Sequence, residues 1–255
     1  MALRADGLWV EETGAGEPVL LLMHGLSGTG AVWNGLRRIL AREWPGRVIV
    51  PDLRGHGRSA HAPAYGIALH AADMVRLVEG AGRVYLAGHS MGGACGMVLA
   101  SGWFGFVPEA VVTVGVAVDW TEALWARLMR LVDTPVRWFD SRAEALERFV
   151  LVNGLNGIVD PASEVAATGV VEDGGKWRLA ADNRAAMVAT AATRRIHAAA
   201  VAPIVLAAGE TDTMARHAEH LSLDPGAPLL PGLGHNAHVE DPAAFWALIR
   251  RAAGL

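Results

Sequence analysis

A serine at position 90 lies in a sequence setting that could make it a nucleophile. The segment from Val84 to Gly93 reads VYLAGHSMGG, an apolar run of strand character followed by a helix of small residues. Residues 88–92 form the pattern G-x-S-x-G, in which the serine lies at the tip of a sharp strand-to-helix turn. Such a turn strains the serine backbone, and Gly88 and Gly92 fit there because larger side chains would collide. We therefore expect the Ser90 hydroxyl to stand clear of the sheet.

A base and an acid follow later in the chain. Serine alone is a poor nucleophile and needs a base, which in turn needs an acid to orient it. The apolar run 204–207 is followed by G-E-T-D, which ends at Asp212, and the next run leads into G-L-G-H, which ends at His235. Both segments follow predicted strands, whose carboxyl ends carry the functional loops of open parallel sheets. The sequence therefore predicts Ser90, Asp212 and His235 as catalytic residues.

Two other acids remain open as alternatives to Asp212. Asp119 also follows a predicted strand, although its spacing to Glu122 favours a helix cap. Glu210 lies two residues before Asp212 in the same loop.

The elements that must position these residues alternate between short apolar runs and helical patterns. This alternation predicts the α/β class, a mostly parallel sheet with helices on both faces. The predicted strands are an antiparallel edge strand at 8–12 and buried strands at 19–23, 47–50, 84–87, 110–118, 204–207 and 228–230. The predicted helices are 33–41, 68–78, 92–101 and 242–252.

Residues 119–201 interrupt this alternation. They contain no convincing buried strand, but leucines recur there at helical spacing from position 124 to 131, and Asp182 precedes an alanine-rich stretch typical of a long helix. We predict a helical cap at 119–201, inserted into a core made of 1–118 and 202–255. The cap carries four of the nine tryptophans, which would suit an apolar substrate. Candidate substrate contacts are Trp120, Trp125 and Trp138.

Composition limits the class of protein. The chain has 255 residues, of which 52% are hydrophobic and 19% charged, as in a globular protein with a substantial core. A net charge of -4 offers no basic patch for nucleic acid. No run approaches the roughly 18 apolar residues of a membrane span, and the first ten residues do not resemble a signal peptide. With Cys95 as its single cysteine, the protein is expected in the cytoplasm. The sequence does not indicate its oligomeric state.

Three further segments carry a resemblance to a known family. They are MHGLSG at 23–28, PDLRGHGRS at 51–59 and GLGHNAHVEDP at 232–242. With the serine segment, they resemble the α/β-hydrolase superfamily in the right order and over the whole chain apart from the cap. The resemblance implies that the backbone amides of Leu26 and Met91 form the oxyanion hole. It also implies no metal and no organic cofactor.

The remaining histidines are weighed against structural roles. His24 and His89 flank the site and are expected to orient loops, with His24 also a candidate substrate contact. His238 is expected to hydrogen-bond within its own loop. His217 and His220 have a spacing that could bind a metal, but without a third ligand we favour a surface position. In the resemblance, the loop at 51–59 is mainly structural.

A serine nucleophile narrows the chemistry. Haloalkane dehalogenases and epoxide hydrolases of this fold use an aspartate, so Ser90 indicates acyl chemistry. The leading hypothesis is hydrolysis of a carboxylic ester, lactone or thioester of a small to medium apolar substrate through an acyl-enzyme. One alternative is carbon–carbon bond hydrolysis of a vinylogous diketone, with Arg127, Arg130 or Arg137 as anchor for its carboxylate. A cofactor-free perhydrolase and a ligand receptor or scaffold with little turnover are the others.

Overall fold

An eight-stranded sheet forms the centre of the molecule, in the order β1-β2-β4-β3-β5-β6-β9-β10. The computed structural model describes residues 2–4, 6–188 and 192–255. The strands are β1 (Ala2–Leu3), β2 (Trp9–Thr13), β3 (Val19–Met23), β4 (Arg47–Asp52), β5 (Val84–His89), β6 (Ala110–Val114), β7 (Val170–Asp173), β8 (Lys176–Leu179), β9 (Ile204–Gly209) and β10 (Leu229–Leu230). The helices are α1 (Asn34–Glu43), α2 (Ile67–Leu77), α3 (Met91–Leu99), α4 (Glu122–Val132), α5 (Arg142–Val152), α6 (Glu164–Ala167), α7 (Thr193–Ala198), α8 (His217–Leu221), α9 (Ala237–Glu240) and α10 (Pro242–Ala253). Two 3-10 helices are Gly30–Trp33 and Asn183–Val188.

All pairs of this sheet from β4 to β10 in spatial order are parallel, and its β1–β2 and β2–β4 pairs are antiparallel. Every residue of β3, β5 and β6 is buried, as expected for strands covered on both faces. One face packs against α2 and α3, and the other packs against α1 and α10. The predicted fold class, a mostly parallel sheet with helices on both faces, is therefore confirmed.

Two strand boundaries differ from prediction. β6 ends at Val114, four residues before the predicted end at Val118. The reason is Gly115, whose φ of 71° lies in the left-handed region and turns the chain out of the sheet. The predicted edge strand β2 is antiparallel, but the short β1 pairs outside it and forms the edge.

The inserted segment between β6 and β9 is not wholly helical, contrary to prediction. It contains the antiparallel hairpin β7–β8, whose turn is made by Gly174 and Gly175 with φ of 61° and 80°. Asp182 precedes a 3-10 helix rather than a long α-helix. The middle of that predicted helix, 189–191, lies outside the described residues.

A small apolar cluster of its own holds the central part of the insert together. It includes Leu146, Phe149 and Leu155, and it is separate from the two clusters on the faces of the main sheet. Phe149 is 1% exposed, and its ring lies directly against Gly169, which precedes β7. The last helix of the insert, α7, instead packs against α3, with Ile196 in the core cluster of that face. No helix of the described residues is long and apolar enough to cross a bilayer.

Because the insert has a separate cluster, we expect Phe149→Ala to loosen it selectively. The substitution removes a buried ring, which costs about 3–5 kcal/mol in a core. Hydrogen exchange followed by mass spectrometry should show faster exchange in peptides from 139–179, with β3 and β5 still protected. Leu21→Ala in β3 is the matched control and should lower protection across the sheet. Equal loss of protection in both regions for Phe149→Ala would contradict a separate cluster.

Candidate active site

Ser90 occupies the turn between β5 and α3 in a backbone conformation that residues other than glycine rarely adopt. Its φ is 50° and its ψ is -115°. Among the described residues, only Ser27 and Ser90 are non-glycine residues with positive φ. Close packing enforces the turn: a Cβ on Gly88 would lie 2.5 Å from the carbonyl carbon of Gly92, and one on Gly92 would overlap the carbonyl oxygen of Met23. The structure thus places the Ser90 side chain at the carboxyl edge of the sheet.

Asp212 and His235 are joined by a hydrogen bond of 2.7 Å between Oδ2 and Nδ1. Asp212 follows β9, and its Oδ1 accepts from the amides of Met214 and Ala215 at 2.8 and 3.0 Å. Burial alone would raise the pKa of Asp212, but the His235 bond and these amides outweigh it and lower the pKa below its usual value. Because the resulting carboxylate only accepts, Nδ1 of His235 carries the proton and Nε2 is left as the acceptor.

Ser90 and His235 line the same cavity, but no hydrogen bond joins them in this structure. Within the described part of the chain, the Ser90 hydroxyl has no hydrogen-bond partner. A nucleophile–base contact is often long in the absence of substrate.

The loop after β3 brings a second backbone amide toward Ser90. Gly25 lies so close to the turn that a Cβ there would be 2.6 Å from His89 Nδ1 and 3.4 Å from Ser90 Cβ. Leu26 and Met91 both line the cavity. The amide of Met91, the first residue of α3, has no intrahelical acceptor, and within the described residues the Leu26 amide donates to none. Neither amide thus has a recorded acceptor among the described residues.

His24 does not contact the cavity, which corrects its prediction as a substrate contact. It is fully buried. Its Nδ1 donates to the carbonyl of Gly25 at 2.8 Å, and its Nε2 accepts from the amide of Leu53 at 2.9 Å. Burial lowers its pKa. His24 therefore links the loops after β3 and β4 as a neutral side chain.

A stack of buried rings supports the His235 loop from behind. His89 Nε2 donates to the carbonyl oxygen of His235 at 3.0 Å, and the His89 ring lies 4.3 Å from that of His238. His238 in turn lies 4.4 Å from Trp33. Contrary to prediction, neither ring nitrogen of His238 has a hydrogen-bond partner. Burial lowers its pKa to about 3, so it is neutral at physiological pH.

The alternative acids are occupied elsewhere. Asp119 forms a two-pronged ion pair with Arg194, both contacts 2.7 Å long. It does not cap α4 either, since Thr121 accepts the hydrogen bond from Leu124. Glu210 accepts from the amide of Gly232 at 2.7 Å.

The other histidine and loop residues have structural contacts. His220 is buried and donates to the carbonyl of Val116 at 2.7 Å, so the predicted surface position is wrong for it. In the loop at 51–59, Asp52 accepts from the amides of Gly30 and Arg58 at 2.7 and 2.9 Å. No cluster of three potential metal ligands occurs among the described residues.

A cavity of about 970 Å³ lies between the carboxyl edge of the sheet and the insert. α4 presents Leu124, Leu128 and Leu131 to it, and α5 presents Leu151 and Val152. Of the three tryptophans predicted to touch substrate, only Trp120 lines it. Trp125 and Trp138 are 40% and 43% exposed and lie outside the lining. Helical spacing could not predict which side of the insert they face.

Three hydrogen bonds between the insert and the site loops were missed by sequence reasoning. Asn236, next to His235, donates from Nδ2 to the carbonyls of Asn153 and Gly154 at 2.9 and 3.2 Å. Thr29 and Thr168 share a hydroxyl–hydroxyl bond of 2.7 Å. Asn236 lies in the segment 232–242, but no sequence pattern pairs it with residues 153–154, or Thr29 with Thr168, because these contacts join distant parts of the chain.

Comparison with known proteins places this geometry in context. The sequence model described as the alpha/beta hydrolase family matches residues 19–248. The putative carbamate hydrolase RutD of Caulobacter vibrioides is 40% identical over 102 residues, 37% of each chain, so the match spans little more than a third of that relative. The sn-1-specific diacylglycerol lipase ABHD11 of Mus musculus is 28% identical over 244 residues, 89% of this chain and 78% of the lipase. The crystal structure of E-2-(acetamidomethylene)succinate hydrolase superposes with a TM-score of 0.81 at 23% identity, covering 97% of this chain and 95% of that one.

The packing around the turn predicts that Gly92→Ala disables Ser90. The new Cβ would push α3 away from Met23 and displace the serine, and a shift of about 1 Å can cost roughly 10²-fold in rate. The rate of covalent labelling of Ser90 by a fluorophosphonate, followed by mass spectrometry, measures this directly. Gly66→Ala is the control, because nothing lies within 4 Å of the added Cβ. Labelling of Gly92→Ala at the wild-type rate would contradict the packing argument.

Buried neutral histidines predict acid sensitivity. Burial holds the pKa of both His70 and His238 at about 3 in the folded protein, whereas the unfolded value is about 6.5. Unfolding therefore takes up a proton at each of them below pH 6.5, so the stability present above that pH is lost progressively on acidification to about pH 3. Each of the two histidines lowers the free energy of unfolding by about 1.4 kcal/mol when the pH falls from 7.5 to 5.5.

Urea unfolding at these two pH values tests the assignment. Since the ring nitrogens of both histidines lack partners, His238→Phe and His70→Phe remove the titration without breaking a hydrogen bond. Between pH 7.5 and 5.5, the free energy of unfolding of each variant should fall by about 1.4 kcal/mol less than that of the wild type. An unchanged pH dependence in both variants would show that these side chains are not held neutral by the fold.

Proposed function

The chain belongs to the alpha/beta hydrolase family, and on that premise we propose that it is a serine hydrolase that cleaves a carboxylic ester through an acyl-enzyme. The observation that carries the proposal is the 2.7 Å hydrogen bond between Asp212 and His235, on the cavity that Ser90 also lines. Acyl transfer requires a serine and a base that is oriented by an acid, and the half-buried Ser90 shares its cavity with such a pair.

In the proposed acylation, Ser90 Oγ attacks the ester carbonyl carbon while His235 Nε2 takes the hydroxyl proton. Asp212 stabilises the imidazolium through its bond to Nδ1. The tetrahedral intermediate collapses when the bond to the leaving oxygen breaks and His235 returns the proton to the departing alcohol. Water then attacks the acyl-enzyme by the same steps, which releases the acid and restores Ser90.

The oxyanion of both intermediates is proposed to bind the amides of Leu26 and Met91. Two preorganised donors that strengthen as charge develops would stabilise the transition state more than the ground state. The loss of one such donor costs ~3–4 kcal/mol in comparable sites.

Several observations support an acyl substrate of small to medium size. The cavity has leucines of α4 and the side chain of Trp120 along one side, which favours an apolar acyl chain or ring. ABHD11, the relative with the longest match quoted above, is described as a diacylglycerol lipase, and its substrate is a carboxylic ester. Lactones and thioesters present the same carbonyl and fall within the proposal. We also propose a cytoplasmic location, since the single Cys95 is buried and unpaired.

Turnover of p-nitrophenyl esters from acetate to decanoate tests the proposal. Ser90→Ala and His235→Ala should lower kcat by about 10⁴-fold or more, and Asp212→Ala by somewhat less. Ser101→Ala is the matched control, because Ser101 lies just beyond the other end of α3 and bonds only locally, to Val98 and Trp103. The chain length of the preferred ester would measure the usable depth of the cavity.

Two outcomes would count against ester hydrolysis. Wild-type turnover in Ser90→Ala would remove the serine mechanism. Absence of turnover by the wild type on every ester would favour carbon–carbon hydrolysis of a vinylogous diketone, and binding without turnover would favour a receptor.

A further inference from the structure

An arginine lies within the apolar stripe that α4 turns toward the cavity. Leu124, Leu128 and Leu131 line the cavity from this helix, and Arg127 lines it with them. Residues 124, 127, 128 and 131 follow the i, i+3, i+4, i+7 spacing of a single helix face. Helical geometry therefore places Arg127 on the cavity side of α4 rather than on its outer side.

The second helix at the cavity repeats this arrangement. Arg148 of α5 lines the cavity together with Leu151 and Val152, which are three and four residues further along the same face. Arg148 is half-buried, whereas Arg127 is exposed. Two different helices thus contribute arginines to the lining of the same cavity, Arg127 and Arg130 from α4 and Arg148 from α5.

Neither guanidinium has a protein partner in the described part of the chain. No hydrogen bond, ion pair or ring contact involves the side chain of Arg127 or Arg148. Other arginines of the insert are engaged: Arg184 pairs with Asp182 and Arg194 with Asp119, each at 2.7 Å. Arg184 and Arg194 are therefore paired with acids, whereas Arg127 and Arg148 on the cavity are not.

The lining of the cavity carries more positive than negative side chains. Arg130 and Arg137 also line it, and Glu240 is the only acidic residue of the described chain that does so. Glu240 is occupied, since its Oε2 accepts from the amide of Gly234 at 2.8 Å. A cleft lined by one sign of charge raises the local concentration of the opposite charge.

We propose that the substrate carries a carboxylate, bound by Arg127 and Arg148 at the end of the cavity formed by the insert while its ester carbonyl lies at Ser90. Guanidinium groups bind carboxylates in a two-pronged geometry, and the apolar lining between the two ends suits a short methylene chain. The substrate class is then the half-ester of a dicarboxylic acid. This inference rests on the proposed ester hydrolysis for the reaction, but the carboxylate site stands independently of it.

A matched pair of substrates tests the preference. Mono-p-nitrophenyl glutarate and p-nitrophenyl 5-methylhexanoate have the same chain and branch shape, but only the first ends in a carboxylate. Wild-type kcat/KM should favour the glutarate. Arg127→Gln and Arg148→Gln should each reduce the ratio of the two values by about tenfold. Arg38→Gln is the control: Arg38 is exposed on α1, makes no ion pair among the described residues and does not line the cavity.

A binding measurement separates failure of this inference from failure of the proposed function. Glutarate should bind the Ser90→Ala variant in a calorimetric titration at low ionic strength. Double variants that combine Ser90→Ala with Arg127→Gln or with Arg148→Gln should bind glutarate about tenfold more weakly. Ser90-dependent hydrolysis of the neutral ester, with no preference for the half-ester and no glutarate binding, would overturn the carboxylate site and leave the serine hydrolase intact. Arginine-dependent glutarate binding without hydrolysis of either ester would support the carboxylate site and count against ester hydrolysis.

Discussion

The backbone of Ser90 is the constraint on which the rest of the site depends. A non-glycine residue at φ 50° costs about 1–3 kcal/mol, which the surrounding packing must supply. β5 supplies it from the centre of the sheet, where it is paired on both sides, and the Ser90 amide is fixed by the carbonyl of Val114 at 2.9 Å. The glycines at 88 and 92 let β5 and α3 meet so closely that no other turn fits between them. The position of the hydroxyl is therefore a consequence of the buried core.

Buried neutral histidines connect the Ser90 turn to the loop that carries His235. His89, next to Ser90, donates to the carbonyl of His235 and packs between the rings of His235 and His238. A charged side chain at this depth would be costly without a partner, and a purely apolar one could not hold the carbonyl. A histidine whose pKa is lowered by burial avoids the cost of a buried charge and still donates a hydrogen bond to the carbonyl. The loop that carries His235 is thus bonded to the turn that carries Ser90.

The sequence was most informative where one physical signal dominated. β3 matches its prediction at both ends because its five residues are continuously apolar. The boundary of β6 was wrong because Val116 and Val118 remain buried and apolar after Gly115 has already left the sheet. The hairpin β7–β8 was missed because its strands have four residues each and are mostly exposed or half-buried.

In the candidate site, motifs named the residues, but tertiary contacts decided between them. Asp119 and Asp212 both follow core strands, and only their partners, Arg194 and His235, distinguish them. The face of the insert that each tryptophan occupies is likewise set by packing, which composition does not encode.

The insert is joined to both loops that would act on a substrate. Asn236, the residue after His235, is hydrogen-bonded to the residue that follows α5. Thr29, in the loop after β3, is hydrogen-bonded to Thr168. α5 also carries Arg148, so a helix that lines the cavity leads directly into the residues bonded to the His235 loop. Because the Asn236 bonds run to backbone carbonyls at 153 and 154, any displacement of that end of α5 must move the His235 loop or break them. Contacts made at the insert are therefore mechanically connected to the position of the His235 loop.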